Sequence, residues 1–298
     1  MVTKSQSLLI LDGGMATELE ARGHSLNDDL WSARLLRDQP DEILAVHRAF
    51  IRAGADVITT ASYQATFQGF ANRGIDPDEA ETLLRRSVRL AKQARRGTRP
   101  AVQVAASVGP YGAFLANGAE YTGDYDLDEE GLLEFHRRRW QILIHEKPDL
   151  MLCETIPSRE EATALGRLAA ESASIPVSIS FSCRDGAHLN DGSAIESVVK
   201  LLEANEFVET VGVNCTAPRF IPDLIQRIRG VTNKTVIVFP NSGETFDAKT
   251  RTWQGQGNLD DFAEQAAHWR DLGARIIGGC CRVTPEHIRA VKQRLAVS

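Results

Sequence analysis

Short apolar runs alternate with amphipathic segments along this sequence, and the alternation repeats eight times. The runs are rich in β-branched residues and mostly apolar on both faces, which is typical of strands in a buried parallel sheet. We therefore predict strands at residues 8–13, 56–61, 101–108, 150–155, 177–182, 210–215, 236–240 and 275–280.

The segments between these runs carry the start and stop signals of helices. Proline, acidic residues or the spacing of a capping box indicate helix starts at residues 40–42, 77–79, 128–130, 158–161 and 284–286. Gly54 and Gly273 stand where a helix C-cap would lead into the next strand. Strands and helices are thus expected to alternate.

Eight β/α units in 298 residues, without a linker or a change in composition, predict one domain over residues 1–298. The expected fold is a single (β/α)8 TIM barrel, which is an α/β fold. The alternative is a doubly wound open sheet, which more often has a glycine-rich dinucleotide turn after its first strand. Residues 12–16, Asp-Gly-Gly-Met-Ala, lack the spacing of that turn, so a barrel is the better interpretation.

Residues capable of chemistry stand at the ends of several predicted strands. Asp12 ends the first strand, Glu154 the fourth, Cys215 the sixth and Cys280 the eighth. In a barrel these ends share one face, where the active sites of this fold lie. The loops after the first three strands are also long, as suits a covered pocket, and span about residues 15–40, 63–76 and 109–127.

The vicinal cysteines Cys280 and Cys281 are the most informative pair in the chain. Adjacent thiols make a strained disulfide, but they are good soft donors for Zn²⁺ if a third ligand arrives. Neighbouring strand residues point to opposite sides, so the strand must end or bulge here. We expect Gly278 and Gly279 to supply backbone freedom and to remove side-chain bulk. With Cys215 as third thiolate, an open coordination position would remain, which indicates a catalytic metal.

Other thiols and the carboxylates leave alternatives open. A redox role for the vicinal pair is one, although its spacing is not C-x-x-C. Cys153 and Cys183 are interpreted as small buried hydrophobes. Asp12 either caps the turn that follows it or meets a ligand. Glu154 follows an apolar run and needs a partner there, which the ammonium group of a substrate would provide.

Composition excludes several classes of function. A net charge of −6 disfavours nucleic-acid binding, and the basic run at residues 137–139 is interpreted as the solvated face of a helix. Five unevenly spaced cysteines do not make a disulfide framework, which indicates a reducing cytoplasm. The first seven residues are polar, so no signal peptide is expected, and no apolar stretch approaches the roughly 20 residues of a membrane span.

Five segments, in chain order, resemble the motifs of the homocysteine S-methyltransferase family. They are 11–19 (Leu-Asp-Gly-Gly-Met-Ala-Thr-Glu-Leu), 153–155 (Cys-Glu-Thr), 212–216 (Gly-Val-Asn-Cys-Thr), 240–244 (Pro-Asn-Ser-Gly-Glu) and 278–282 (Gly-Gly-Cys-Cys-Arg). Each motif is weakly specific, but the ordered set is highly specific and extends from about residue 8 to 290. The resemblance implies a Zn²⁺-dependent (β/α)8 transferase of methionine biosynthesis.

The resemblance also implies roles for individual residues. Cys215, Cys280 and Cys281 would be the three Zn²⁺ ligands and form the catalytic centre. Asp12 and Glu154 match positions that hold the ammonium group of homocysteine.

Further substrate contacts follow in the same way. The backbone around Gly13 and Gly14 would meet the carboxylate of homocysteine. Asn214 is placed beside the substrate, and it or water is a candidate fourth metal ligand in the substrate-free state.

A sulfonium methyl donor can be held by cation–π attraction, at about 1 kcal/mol for each aromatic ring. Four aromatic residues in or near the predicted rim loops are candidates for this contact: Tyr63, Phe67, Phe246 and Trp253. Ordinary loop packing is the alternative for each of them.

Family members similar in length and in segment 240–244 use S-methylmethionine, often with S-adenosylmethionine as a poorer donor. We therefore expect methyl transfer from S-methylmethionine to the thiolate of L-homocysteine, which gives methionine. Betaine-using relatives are longer, with a C-terminal extension that mediates assembly, so a monomer is favoured over an obligate oligomer. Betaine-dependent methylation of homocysteine and methylation of selenocysteine are the alternatives, and the second is a close variant.

Two remoter classes stay open. A zinc-dependent barrel hydrolase would polarise water, but the predicted strand ends lack a histidine cluster. A non-catalytic zinc-binding or redox-sensing protein would use the vicinal thiols as a switch.

Overall fold

A computed structural model describes residues 8–25, 32–97, 102–172, 175–247, 252–254 and 258–296, with the backbone alone at residue 32 and in the ranges 245–247 and 252–254. Its strands are β1 (Leu9–Ile10), β2 (Val57–Thr59), β3 (Gln103–Val108), β4 (Leu150–Ile156), β5 (Val177–Phe181), β6 (Val208–Asn214), β7 (Thr235–Phe239), β8 (Thr245–Asp247), β9 (Thr252–Gln254) and β10 (Ile276–Ile277).

Eight of these strands form one parallel sheet in the order β1-β10-β7-β6-β5-β4-β3-β2. A parallel bridge between Leu11 and Val57 joins β1 to β2 and brings the two edges together. The predicted (β/α)8 barrel is therefore confirmed, and each of the eight predicted strands overlaps an observed one. The last strand is shorter than expected, because β10 ends at Ile277 and the chain turns at the vicinal cysteines, where Val283 N donates to the carbonyl oxygen of Cys280.

Helices alternate with the strands of the barrel. They are α1 (Met15–Ala21), α2 (Ser32–Asp38), α3 (Pro40–Ala53), α4 (Phe67–Ala71), α5 (Pro77–Ala94), α6 (Tyr111–Leu115), α7 (Glu129–His145), α8 (Arg159–Ser172), α9 (Ile195–Glu203), α10 (Ile221–Arg229), α11 (Leu259–Asp271) and α12 (Pro285–Ala296), with 3₁₀ turns η1 (Ala119–Tyr121) and η2 (Pro218–Phe220). Within the described residues, none of these helices is long and apolar enough to cross a membrane.

The predicted helix boundaries are largely confirmed by their caps. Asp128 accepts a hydrogen bond from Gly131 N at the start of α7. Gly54 takes the left-handed conformation at the end of α3, with φ 116°. The capping box at the start of α8 is only half formed. Ser158 Oγ accepts a hydrogen bond from Glu161 N. The Glu161 carboxylate accepts one from Tyr111 N instead of from the backbone N–H of Ser158, which a complete capping box would require.

Two regions differ from the sequence prediction. The long loops after the first three strands contain the short elements α1, α2, α4, α6 and η1, and β8 pairs with β9 as an antiparallel hairpin after β7. Elements of three to seven residues are too short to leave a clear periodic pattern, so sequence alone did not reveal them.

The expectation of a solvated basic face at residues 137–139 is wrong for Arg139. This side chain is 1% exposed and donates a hydrogen bond to the carbonyl oxygen of Gly109, in the loop after β3. Arg138 lies over the ring of Phe67, with 3.8 Å between its guanidinium carbon and the ring centroid. The basic run therefore supports the loops of the β2 and β3 side of the barrel.

Gly212, in the middle of β6, gives a test of the barrel packing. A Cβ at this position would lie 1.7 Å from the carbonyl oxygen of Ile237 on β7, so Gly212→Ala must force the two strands apart. We expect a loss of at least about 3 kcal/mol in the free energy of unfolding, measured by urea denaturation. Gly230→Ala is the matched control, because its Cβ would meet its nearest neighbours at 3.4 Å. Equal stability of the two variants would contradict this packing.

Candidate active site

A cavity opens at the carboxyl ends of the barrel strands, where the sequence predicted the site. Its lining gathers residues from the ends of β1, β2, β3, β4, β6, β7 and β10 and from η1. They are Asp12, Gly13, Gly14, Met15, Ala16, Thr17, Thr59, Thr60, Ala61, Tyr63, Ser107, Glu120, Tyr121, Glu154, Thr155, Cys215, Phe239, Gly279, Cys280 and Cys281. None of these described lining residues is a lysine, arginine or histidine, so the cavity is acidic.

Three cysteine sulfurs meet in the wall of this cavity. Cys215 Sγ lies 3.1 Å from Cys280 Sγ and 3.6 Å from Cys281 Sγ. Three sulfurs on a tetrahedral Zn²⁺, each about 2.3 Å from the metal, would be about 3.8 Å apart, so the cluster needs little adjustment to hold one. Within the described part of the chain, these are the residues whose ligand atoms group closely enough to bind a metal ion.

Backbone hydrogen bonds on both sides fix the segment that carries the vicinal pair. Gly279 N donates to the carbonyl oxygen of Asp12, and Cys280 N donates to that of Pro240. Cys281 N donates to Asn241 Oδ1 at 3.2 Å. The chain then turns, with Val283 N donating back to the carbonyl oxygen of Cys280. Both sulfurs can face one point because this segment is a turn rather than a strand.

The segment at residues 240–244, which in the sequence was only a family motif, lies against the vicinal cysteines and forms hydrogen bonds with them. Besides the contacts of Pro240 and Asn241, its Ser242 N donates to the carbonyl oxygen of Cys281. Glu244 accepts a hydrogen bond from Arg282 Nε at 2.6 Å. This segment therefore holds the vicinal cysteines by main-chain and side-chain contacts.

The role expected for the two glycines is half correct. A Cβ on Gly278 would lie 2.7 Å from the Asp12 carbonyl oxygen, and one on Gly279 would lie 2.2 Å from Val283 Cγ1, so absence of bulk is required. Backbone freedom is not, since neither glycine has a positive φ. The left-handed conformation falls instead on Cys215 and Arg282, with φ 49° and 66°. Such conformations cost energy in non-glycine residues and are typical of functional sites.

Hydrogen bonds among the three thiols favour ionisation of Cys215 over that of its two neighbours. The thiols of Cys280 and Cys281 lower the pKa of Cys215 well below its usual value, and the pKa values of Cys280 and Cys281 are raised in return. Three thiolates this close together require a cation to be ionised at once. The donor set therefore fits a thiophilic divalent metal.

Asp12 and Glu154 stand at the ends of β1 and β4 and line the same cavity. Asp12 Oδ2 accepts from Thr59 N at 2.7 Å, so this carboxylate caps the neighbouring strand β2 rather than its own turn. Ser107 Oγ donates to Glu154 Oε1. Burial raises the pKa of Asp12 well above its usual value and that of Glu154 to about 7. Two desolvated carboxylates beside each other favour a cationic ligand.

Of the other residues predicted to contact the substrate, Gly13 and Gly14 line the cavity and Asn214 does not. Gly13 and Gly14 line the cavity at the start of α1, but Gly14 N already donates to the carbonyl oxygen of Val283. Asn214 is fully buried behind the cavity wall, where its amide exchanges two hydrogen bonds with Thr155. Its Nδ2 lies 4.0 Å from Cys280 Sγ. The structure thus places Asn214 as a support of the cluster.

Of the aromatic candidates, Tyr63 lines the cavity, whereas Phe67 packs under Arg138 and is not among the described lining residues. Phe246 and Trp253 are paired across the β8–β9 hairpin, but their side chains lie outside the described part of the chain. Cys153 and Cys183 are buried apart from the cluster, as expected for small hydrophobes.

Sequence reasoning missed Glu120 and Tyr121, which η1 brings over the cluster. Tyr121 OH lies 3.6 Å from Cys215 Sγ, and Glu120 lines the cavity while 8% exposed. Both residues stand in a loop between periodic segments, so no hydrophobic pattern marked them. A Glu-Tyr pair in a loop that follows a barrel strand was the only available signal.

Comparisons with known proteins point to one family. The sequence profile of the family described as homocysteine S-methyltransferase matches residues 9–295. The chain is 45% identical over 293 residues to homocysteine S-methyltransferase YbgG of Bacillus subtilis, with 95% of this chain and 93% of that protein covered. It is also 45% identical over 307 residues to a selenocysteine Se-methyltransferase of Brassica oleracea var. italica, with 96% and 88% covered.

A solved structure agrees with these sequence relatives. The metallated form of the homocysteine methyltransferase MmuM from Escherichia coli superposes with a TM-score of 0.87 at 42% identity, covering 98% of this chain and 97% of that one. Its oxidized form gives a TM-score of 0.88 at 41% identity, covering 99% and 98%.

Proposed function

Because this chain belongs to the homocysteine S-methyltransferase family, we propose that it transfers a methyl group from S-methylmethionine to L-homocysteine, giving methionine. S-adenosylmethionine is the second donor in this proposal. The observation that carries it is the group of three cysteine sulfurs in the wall of an acidic cavity. We also propose that residues 1–298 act as one domain in a reducing cytoplasm, where the thiols stay reduced.

Cys215, Cys280 and Cys281 would hold Zn²⁺ in this proposal. When bound, the metal would lower the pKa of the homocysteine thiol and hold its sulfur as a thiolate, which is the nucleophilic form. The existence of a metallated form of the relative from Escherichia coli supports metal binding by this chain.

Asp12 and Glu154 would bind the ammonium group of homocysteine. Their hydrogen bonds to Thr59 and Ser107 fix the two carboxylates before the substrate arrives. The substrate carboxylate would face the start of α1, beside Gly13 and Gly14, because the first N–H groups of a helix have no partner within it.

The transfer itself is a displacement at carbon. The homocysteine sulfur, after losing its proton to solvent, forms a bond to the methyl carbon while the bond from that carbon to the donor sulfur breaks. The sulfonium thereby becomes a neutral thioether, and S-methylmethionine leaves as a second molecule of methionine. Tyr63 lines the cavity and would face the sulfonium, as we also propose for Trp253.

Methylation of selenocysteine is a second candidate activity, favoured by the 45% identity to the selenocysteine Se-methyltransferase of Brassica oleracea. A selenolate is a soft ligand like a thiolate and would suit the same metal.

Turnover with a series of donors tests the proposed function. Purified protein with stoichiometric zinc should form methionine from homocysteine fastest with S-methylmethionine, more slowly with S-adenosylmethionine and least with betaine, at matched concentrations. Methionine can be measured by chromatography. Stoichiometric zinc without methionine from any of these donors would exclude the activity and favour a zinc-binding or redox-sensing protein.

A further inference from the structure

Glu120 is a buried carboxylate in the cavity that the roles above leave unassigned. It is 8% exposed and lines the cavity, and its Oε2 has no hydrogen-bond partner within the described part of the chain. Its backbone is held in place, since its carbonyl oxygen accepts from Ser182 Oγ at 3.2 Å and from Asn190 Nδ2 at 3.4 Å. The backbone that carries the carboxylate is therefore fixed, and the carboxylate is contacted by the main chain of Glu120 itself but has no partner at Oε2 among the described residues.

A buried carboxylate of this kind is costly unless a cation reaches it. Asp12 and Glu154 at least accept hydrogen bonds from Thr59 and Ser107, whereas Glu120 Oε2 accepts none from the described residues. The described lining residues include no lysine, arginine or histidine that could serve as its counter-ion. Burial raises the pKa of Glu120 to about 7, and a cationic ligand would supply the counter-ion that keeps this carboxylate ionised.

Homocysteine supplies one cation, and Asp12 and Glu154 already face it in the proposed arrangement. Asp12 and Glu154 are held by Thr59 and Ser107 at the ends of the strands. Glu120 stands instead beside Tyr121 on η1, and the Tyr121 hydroxyl lies 3.6 Å from Cys215 Sγ. Glu120 therefore belongs to the side of the cavity that η1 forms above the thiol cluster. This is the side left open for the second substrate.

We propose that Glu120 binds the positive charge of the methyl donor and selects cationic donors, an inference that rests on the proposed function. S-methylmethionine carries two cationic groups, the sulfonium and the ammonium, and either could face this carboxylate. A carboxylate that contacts the donor before transfer strengthens binding of the ground state at least as much as that of the transition state, since the sulfonium loses its charge during the reaction. Its removal should thus raise KM for the donor.

Glu120→Gln tests this contact because it removes the charge and keeps the size. We expect KM for S-methylmethionine to rise at least about 30-fold, as for loss of one partner of a buried charge pair, with kcat changed less than about threefold. KM for homocysteine and the zinc content should stay at the wild-type values. Asp124→Asn is the matched control, since it removes a charge from an exposed residue of the same loop.

Donor analogues distinguish the two cationic groups. Dimethylsulfonioacetate carries a sulfonium but no ammonium group. If Glu120→Gln weakens its competition with S-methylmethionine, the contact is to the sulfonium. If only ligands with an ammonium group are weakened, the contact is to that group. Both results support Glu120 as the site of the donor's charge.

Other outcomes overturn the inference. An unchanged donor KM in Glu120→Gln would do so, and so would a rise confined to the homocysteine KM. If Glu120→Gln does not fold, Glu120→Asp decides, because it keeps the charge and should keep the preference for cationic donors over neutral competitors. Loss of that preference with intact zinc would reject the role. Absence of turnover in the wild-type protein would instead reject the proposed function.

Discussion

Cys281→Ala is expected to abolish metal binding and methyl transfer together. With one of the three thiolates gone, Cys215 and Cys280 alone cannot complete the donor set, and the homocysteine thiol would lose the cation that keeps it deprotonated. Loss of a residue that merely orients a metal ligand typically costs about 10–100-fold in metal affinity or activity, so loss of a ligand itself should cost at least about 100-fold. Zinc content by atomic emission and methionine formation measure the two effects.

Cys183→Ala is the control for this experiment. Cys183 is also buried, at 7% exposure, but it is not part of the sulfur group. Its replacement should cost some stability through a small cavity and leave the zinc content intact. Full zinc occupancy in Cys281→Ala would contradict the assignment of the cluster as the metal site.

Glu154→Gln should separate substrate binding from metal binding. The carboxylate lines the cavity but is not among the atoms that group around a common metal position. We expect KM for homocysteine to rise at least about 30-fold, because the substrate ammonium would lose a desolvated partner. The zinc content should not change. Loss of zinc from this variant would place Glu154 in the metal shell instead.

Protonation of Glu154 makes both the stability of the protein and its affinity for an ammonium ligand depend on pH. Burial raises its pKa from 4.5 to about 7, so the folded, substrate-free protein holds this proton more tightly than the unfolded chain. The resulting contribution to stability is complete below pH 4.5 and is lost as the pH rises through about 7. An ammonium ligand binds the ionised form of Glu154, so its affinity should fall as the pH is lowered and the carboxylate takes up a proton.

Methionine is a suitable probe of this preference, since it has the amino acid group of homocysteine but no thiol to titrate. Its affinity should fall about fivefold between pH 7 and pH 6 in the wild-type protein, as Glu154 takes up a proton. Calorimetric titration would measure it. The fall should be weaker in Glu154→Gln, and an equal fall in both proteins would show that another group is responsible.

The eight strands could be read from the sequence because each is a local apolar run, and the pattern needs no knowledge of its neighbours. The same reasoning failed for Arg139. A helical pattern shows which residues share a face, but it does not show that the loop after β3 would lie against that face and accept the guanidinium at Gly109. Burial of a charged side chain depends on a contact that is remote in sequence.

Glu120 and Tyr121 were missed for a related reason. They stand on η1, a single turn within a long loop, where neither periodicity nor a cap marks a function. Their position above Cys215 depends on how that loop folds back over the barrel. The sequence contains both residues, but it does not show that they lie close to Cys215.

The chain's own order of residues was enough to predict the barrel and to place three thiols and two carboxylates at the ends of its strands, because in a parallel barrel all carboxyl ends share one face. Only the folded structure decided the distances. It brought Cys215 to 3.1 Å from Cys280, a residue 65 positions away, because β6 and β10 both pair with β7. It also decided that Cys215 and Arg282, rather than the glycines, take the left-handed conformation, since strain of that kind is imposed by surrounding contacts.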